Sequence, residues 1–226
     1  MKELKIVAKD KTTEIVLYDV IGADEWFGGG VSSKQFRDAV KGVKTPDIEL
    51  RINSPGGDVF EAVAMMAAVD GFKGTVTAYV DGLAASAASV LAMAADRIVM
   101  ADGSMMMIHD PYTIVIGGVD ELSRKIDLLA NIKYDIVKAY KRQSSLSEKK
   151  IGEMMSKETW MTAKEAVDHG FAHELNSSSR VAAFADVSKC GYRHAPKLKA
   201  PTFTADDWKK HNERLAALDE MLKGAA

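Results

Sequence analysis

Asp81-Gly-Leu-Ala-Ala-Ser-Ala-Ala-Ser-Val-Leu-Ala-Met-Ala, running from position 81 to 94, is the stretch on which the reading of this chain turns. It follows Val76–Val80, a short β-branched segment that reads as a strand. Gly82 turns the chain, and very small residues surround Ser86 at the mouth of a helix expected over Ala87–Ala95. A nucleophile in that position has two physical advantages. Small neighbours let a substrate backbone approach closely, and amides at the start of a helix can stabilise a developing oxyanion. Taken alone, the stretch also fits an Ala/Ser-rich helix packed tightly on a sheet. Ser89, about one turn further in, reads as a buried packing serine.

Two more stretches have the same character. Asn53-Ser-Pro-Gly-Gly-Asp ends the strand expected over Ile48–Ile52 and opens a helix over Val59–Val69. A Pro-Gly-Gly turn at that point leaves amides unpaired and unshielded by side chains, as an oxyanion hole requires, although an ordinary turn into a helix has the same composition. Met105-Met-Met-Ile-His-Asp-Pro sets His109 at the end of an apolar strand. Each of the three features lies at a strand end, where parallel α/β sheets build their sites.

Working outward, Glu14–Ile21 reads as a strand and Ser32–Val43 as a helix opened by a serine pair. Ile98–Met100 and Met105–Ile108 are two further short strands. Strands alternating with helices imply parallel βαβ units. The pattern then changes. Val119–Arg142 is a long helix with Leu122, Ile126, Leu129, Ile132, Ile136 and Tyr140 on one stripe. Ser147–Met155 and Ala163–His169 are shorter helices, the second closed by Gly170. Asn176–Ser179 marks the expected end of the compact part, giving a domain over 1–175 and a linker with a short helical tail over 176–226. In that tail Asp206–Lys223 is amphipathic, through Trp208, Leu215, Leu218 and Leu222.

The totals bound the function class. The 226 residues are 47% hydrophobic and 27% charged, enough for a substantial core. A net charge of −2 speaks against nucleic-acid binding. No run of about 18 apolar residues is present, and the first residues lack the apolar stretch of a secretory signal, so a cytoplasmic protein without membrane attachment is expected. Cys190 is the single cysteine, and the histidines at 169, 173, 194 and 211 show no metal-ligand spacing, so neither a metal nor a cofactor is expected. No Walker-type motif occurs, and any ATP-driven step would come from a partner.

INSPGGDVFEA, DGLAASAASVLAMA and MMIHDP resemble the signature segments of the ClpP proteases, in order and at compatible spacing. ETWMTAKEAVDHGFAHEL, from Glu158 to Leu175, resembles the segment carrying that family's third catalytic residue. The likeness covers about Glu14–Leu175 and is closest to the ClpP-like proteases of tailed phages that act in head maturation. It implies an α/β fold: a ClpP/crotonase-type core of repeated ββα units with Val119–Arg142 as a projecting handle that pairs subunits. It also implies a serine endopeptidase acting on polypeptides in a ring-like homo-oligomer, with a separate unfoldase or capsid proteins as partners. By the same resemblance Ser86 is the nucleophile, His109 the base, Glu158 the acid, and the Gly57 and Ala87 amides the oxyanion hole. Two positions depart from the family: Glu158 stands where it generally has aspartate, and Ala87 where it usually has methionine. The rival readings are a crotonase-type acyl-CoA enzyme, a serine–lysine peptidase using Lys133 or Lys138, and a silent scaffolding protein of the same fold.

Overall fold

Strand β4, Val76–Ala85, is the axis of the molecule, and its two halves pair with different neighbours. The computed structural model describes residues 4–22, 30–180, 185–188 and 190–196. Within these, β1 (Lys5–Ala8) and β2 (Thr12–Leu17) form an antiparallel pair, and β2 runs parallel to β3 (Asp47–Ser54), which runs parallel to β4. The first half of β4 lies parallel to β5 (Arg97–Asp102), and β5 to β8 (Glu174–Arg180). Past Gly82, β4 leaves β5 and pairs instead with β6 (Met105–Ile108), which in turn pairs antiparallel with β7 (Thr159–Thr162). This mixed sheet with covering helices is the α/β architecture expected.

The alternation of β2 and β3 explains the layering. Ile15, Leu17, Ile48, Leu50 and Ile52 are buried on one face, whereas Glu14, Glu49 and Arg51 point to the other. Helices α1 (Ser33–Gly42), α2 (Val59–Asp70) and α3 (Ala87–Ala92) cover the apolar face through residues such as Phe36, Val40, Met65 and Leu91. Their starts are encoded locally. Ser32 and Gln35 form a capping box on α1, and the Asp58 carboxylate accepts the Phe60 and Glu61 amides at α2. On the opposite face Arg51 pairs with Asp81 and stacks on Tyr79.

Helix α4 (Val119–Lys141) divides its stripe in two. Ile136, Val137 and Tyr140 are buried in the core, but Leu122 and Ile126 are 44% and 67% exposed. The carboxyl-terminal half is therefore anchored while the amino-terminal half extends beyond the packed core. Helices α5 (Glu148–Ser156) and α6 (Ala163–Asp168) complete the described helices.

Three strands were not anticipated: β1, β7 and β8. Strand β8 runs without a break across the boundary expected between 175 and 176, because its backbone completes the edge of β5. Residues beyond it also pack on the domain: Ala185, Val187 and Tyr192 cover Leu83, Ala85 and Met107. The compact part thus extends past Asn176–Ser179. The tail helix expected over Asp206–Lys223 lies outside the described residues.

Candidate active site

Strand register brings the expected residues to one place. Ala85 pairs with Met107 across β4 and β6, so Ser86 and His109 leave the ends of two neighbouring parallel strands. The Ser86 amide donates to the Met107 carbonyl at 2.9 Å, fastening the turn to β6. Ser86 Oγ lies 2.7 Å from His109 Nε2. That distance suits a hydroxyl donating to an unprotonated ring nitrogen, with the ring proton then on Nδ1.

The backbone at Ser86 is strained, with φ 53° and ψ −124°. Ser86 and Glu158 are the two non-glycine residues with positive φ among the described residues. Such conformations cost about 1–3 kcal/mol each and persist where surrounding structure enforces them, often at functional sites. At Ser86 the enforcement is visible. Its carbonyl accepts the Ser89 and Val90 amides, and Ser89 Oγ lies within 2.8 Å of the Ser86 and Met107 carbonyls and of the Tyr140 hydroxyl. Ser89 is fully buried, and it serves as a clamp under the turn.

The Pro-Gly-Gly turn lies against Ser86. A Cβ at Gly56, where φ is +92°, would stand 2.8 Å from Ser86 Cβ and 3.0 Å from the Ala87 amide nitrogen. One at Gly57, where φ is +143°, would stand 2.0 Å from the Ile21 carbonyl oxygen. Glycine is required at both for steric and torsional reasons. Among the described residues neither the Gly57 nor the Ala87 amide has an acceptor. The two unpaired donors flank a serine at a helix start, an arrangement able to hold a developing oxyanion.

Glu158 immediately precedes β7, and the Ile108–Thr159 pairing brings it opposite His109. Among the described residues, however, no hydrogen bond joins the two. The carboxylate instead accepts the His194 amide at 2.7 Å, the Arg193 amide at 2.8 Å and the Trp160 indole N–H at 3.1 Å. Burial pushes the Glu158 carboxyl up, but these three donors outweigh it and hold the group below its ordinary value. Burial depresses the His109 imidazole below the usual histidine value, while the charges of Glu158 and Asp110 pull the other way. The lowering favours the neutral ring, the form that can accept a proton.

Several neighbours escaped sequence reasoning. The Tyr112 and Tyr192 rings lie 5.7 Å and 5.4 Å from the His109 ring, and Trp160 packs edge-on to Tyr192. Tyr192 donates its hydroxyl to the Pro55 carbonyl, 137 residues upstream, a relation with no local signal. The lysines of the rival dyad are engaged elsewhere. Lys133 pairs with Asp110 at 2.8 Å and donates to Ser156 Oγ, and Lys138 pairs with Glu148 at 2.6 Å.

Comparison with known proteins agrees with this geometry. A mutant of ClpP1 from Listeria monocytogenes has the same fold, with a TM-score of 0.63 at 20% identity, over 73% of this chain and 91% of that one. The sequence model described as Clp protease matches residues 40–179, more than half of the chain. ATP-dependent Clp protease proteolytic subunit 2 of Treponema denticola is 29% identical over 133 residues, which span 58% of this chain and 66% of that protein. For the ATP-dependent Clp protease proteolytic subunit of Streptococcus pneumoniae (strain Hungary19A-6) the identity is 29% over 139 residues, or 60% and 71% of the two chains. The class so defined is a serine peptidase on an α/β fold. The chain belongs to the Clp protease family.

Proposed function

We propose that Ser86 is the nucleophile and His109 the general base of peptide-bond hydrolysis at this site. The observation that carries the reading is the 2.7 Å contact between Ser86 Oγ and His109 Nε2 at the ends of β4 and β6. As Ser86 attacks a peptide carbonyl, His109 takes its proton and later returns it to the leaving amine. The Gly57 and Ala87 amides receive the oxyanion, and water then releases the acyl group with His109 again as base. Glu158 is the acid: its charge favours the imidazolium formed in the attack.

The exposed half of α4 supports a homo-oligomer in which this helix meets its counterpart on another subunit, and the family relationship supports a ring. The substrate is a polypeptide, delivered by a separate ATP-dependent unfoldase or presented by capsid proteins during phage head maturation, in the cytoplasm of the producing cell. The domain expected over 1–175 would carry the chemistry, and of the 176–226 stretch expected as linker and tail, the end of β8 and residues Ala185, Val187 and Tyr192 pack against that domain. The serine–lysine alternative loses support from the partners of Lys133 and Lys138. Fluorophosphonate labelling of the full chain tests the reading. Covalent modification at Ser86, absent in Ser86→Ala and in His109→Ala, is expected. Labelling that persists in Ser86→Ala overturns it.

A further inference from the structure

Leu83, Ala85 and Met107 form a small apolar cluster separate from the main core, on the strand ends that lead into Ser86 and His109. Its cover is the chain's own downstream segment. Ala185, Val187 and Tyr192 pack on it together with Met105 and Trp160. The segment is also pinned by polar contacts. Asn53 Oδ1, which accepts the Leu83 amide, accepts the Ala185 amide too. Tyr112 donates its hydroxyl to the Cys190 carbonyl, Tyr192 donates to the Pro55 carbonyl, and the Arg193 and His194 amides donate to Glu158.

These partners cluster around the proposed nucleophile and base. Pro55 opens the glycine turn whose next residues flank Ser86, and the Tyr192 ring stands edge-on against the His109 ring. Burial pushes the Tyr192 phenol well above its usual value, so it remains a donor to Pro55 across the whole working range of pH. The segment also claims Glu158, the carboxylate that register sets opposite His109.

We propose that Ala185–Ser188 and Cys190–Pro196 act as a resident pseudo-substrate. The segment covers the strand ends where a substrate would lie, Tyr192 takes an aromatic side-chain subsite made by His109, Tyr112 and Trp160, and the amides of Arg193 and His194 occupy the Glu158 carboxylate. The inference rests on the peptidase reading of the cleft. Its consequence is that an incoming polypeptide must displace the segment, and displacement frees Glu158 to support the base. The subsite so defined prefers an aromatic residue. Apparent affinity for a peptide is the intrinsic affinity scaled by the fraction of molecules with an open cleft.

The test uses the full chain carrying Ser86→Ala, so that nothing is cleaved, and a fluorescent synthetic peptide of the 185–196 sequence with serine in place of Cys190. Adding Tyr192→Ala should tighten peptide binding about tenfold, the gain for a segment that is closed some ten times more often than open. Tyr192→Phe, which keeps the ring and loses only the hydroxyl, should fall between. In the Ser86→Ala chain with native Tyr192, saturating peptide should speed hydrogen exchange at the Arg193 and His194 amides. Equal affinity for native and Tyr192→Ala chains, no binding to either, or exchange at Arg193 and His194 unmoved by bound peptide each overturns the proposal. Failure of the peptidase reading is read separately, from fluorophosphonate labelling of the native chain.

Discussion

The two arms that meet at His109 are built differently. On one side Ser86 hangs from the end of β4, tied to β6 by its own amide and braced from beneath by buried Ser89 and Tyr140. These supports belong to the sheet and to the core. On the other side Glu158 stands at the start of a four-residue strand, half-buried, and its carboxylate follows the backbone of residues 193 and 194. The contrast teaches that the proposed nucleophile is held mainly by the sheet and the buried core. The proposed acid is held by a segment from far downstream.

The largest effects should come from breaking the arm held by the sheet. Ser86→Ala and His109→Ala should each remove nearly all peptidase turnover, by about 10⁴–10⁶-fold, while the double variant is little worse than either. Additive losses measured in steady-state kinetics would show that the two do not act as a unit. Gly57→Ala should be nearly as damaging by another route. Its Cβ would meet the Ile21 carbonyl in a backbone that side chains rarely adopt, so a stability loss of about 2–4 kcal/mol is expected in denaturant unfolding.

The arm held from downstream should respond more gently and with a distinct pH signature. Glu158→Gln should cost roughly 10²–10⁴-fold in turnover, by analogy with triad acids generally. As the proposed base His109 acts in its neutral form, and its folded value is lowered, so the acid limb of kcat/KM should have its midpoint below 6.5. Glu158 raises that value by its charge. Its removal should therefore move the limb to still lower pH, and a limb that moves upward would contradict the arrangement.

Smaller effects sharpen the contrast. Ser89→Ala removes the hydroxyl beneath the turn and leaves the buried Tyr140 hydroxyl without its partner, for about 1–3 kcal/mol of stability in thermal unfolding with Ser86 still reactive. Loss of labelling in a folded Ser89→Ala chain would move the nucleophile from 86 to 89. Ile126→Asp, on the exposed half of α4, should change stability by no more than about 0.5 kcal/mol while reducing the oligomer seen by sedimentation. An unchanged oligomer would transfer the assembly role to another surface.

Legibility followed the same division. Ser86, His109 and the Pro-Gly-Gly turn each sit in a strand-to-loop pattern a few residues long, and the pattern survives in the sequence because local sterics create it. Helix α4 was legible as an element, but the point where its stripe leaves the core, between Ile126 and Ile136, was not. Strand β7 is too short to show a period, and β8, with its serine run, reads as a loop until β5 offers it an edge.

By itself, then, the sequence determined the alternation of strands and helices, the glycines that positive φ demands, and the serine and histidine at strand ends. These depend on propensity, capping and turn chemistry among near neighbours. Only the tertiary structure decided that β4 changes partners past Gly82, so that Ser86 and His109 meet at 2.7 Å. It alone decided that Glu158 faces His109 in register yet bonds to amides 35 and 36 residues downstream, and that Tyr192 reaches Pro55. Such contacts join parts of the chain that carry no mutual signal, and they form because an apolar cluster and a set of backbone donors must be covered and paired wherever the fold leaves them.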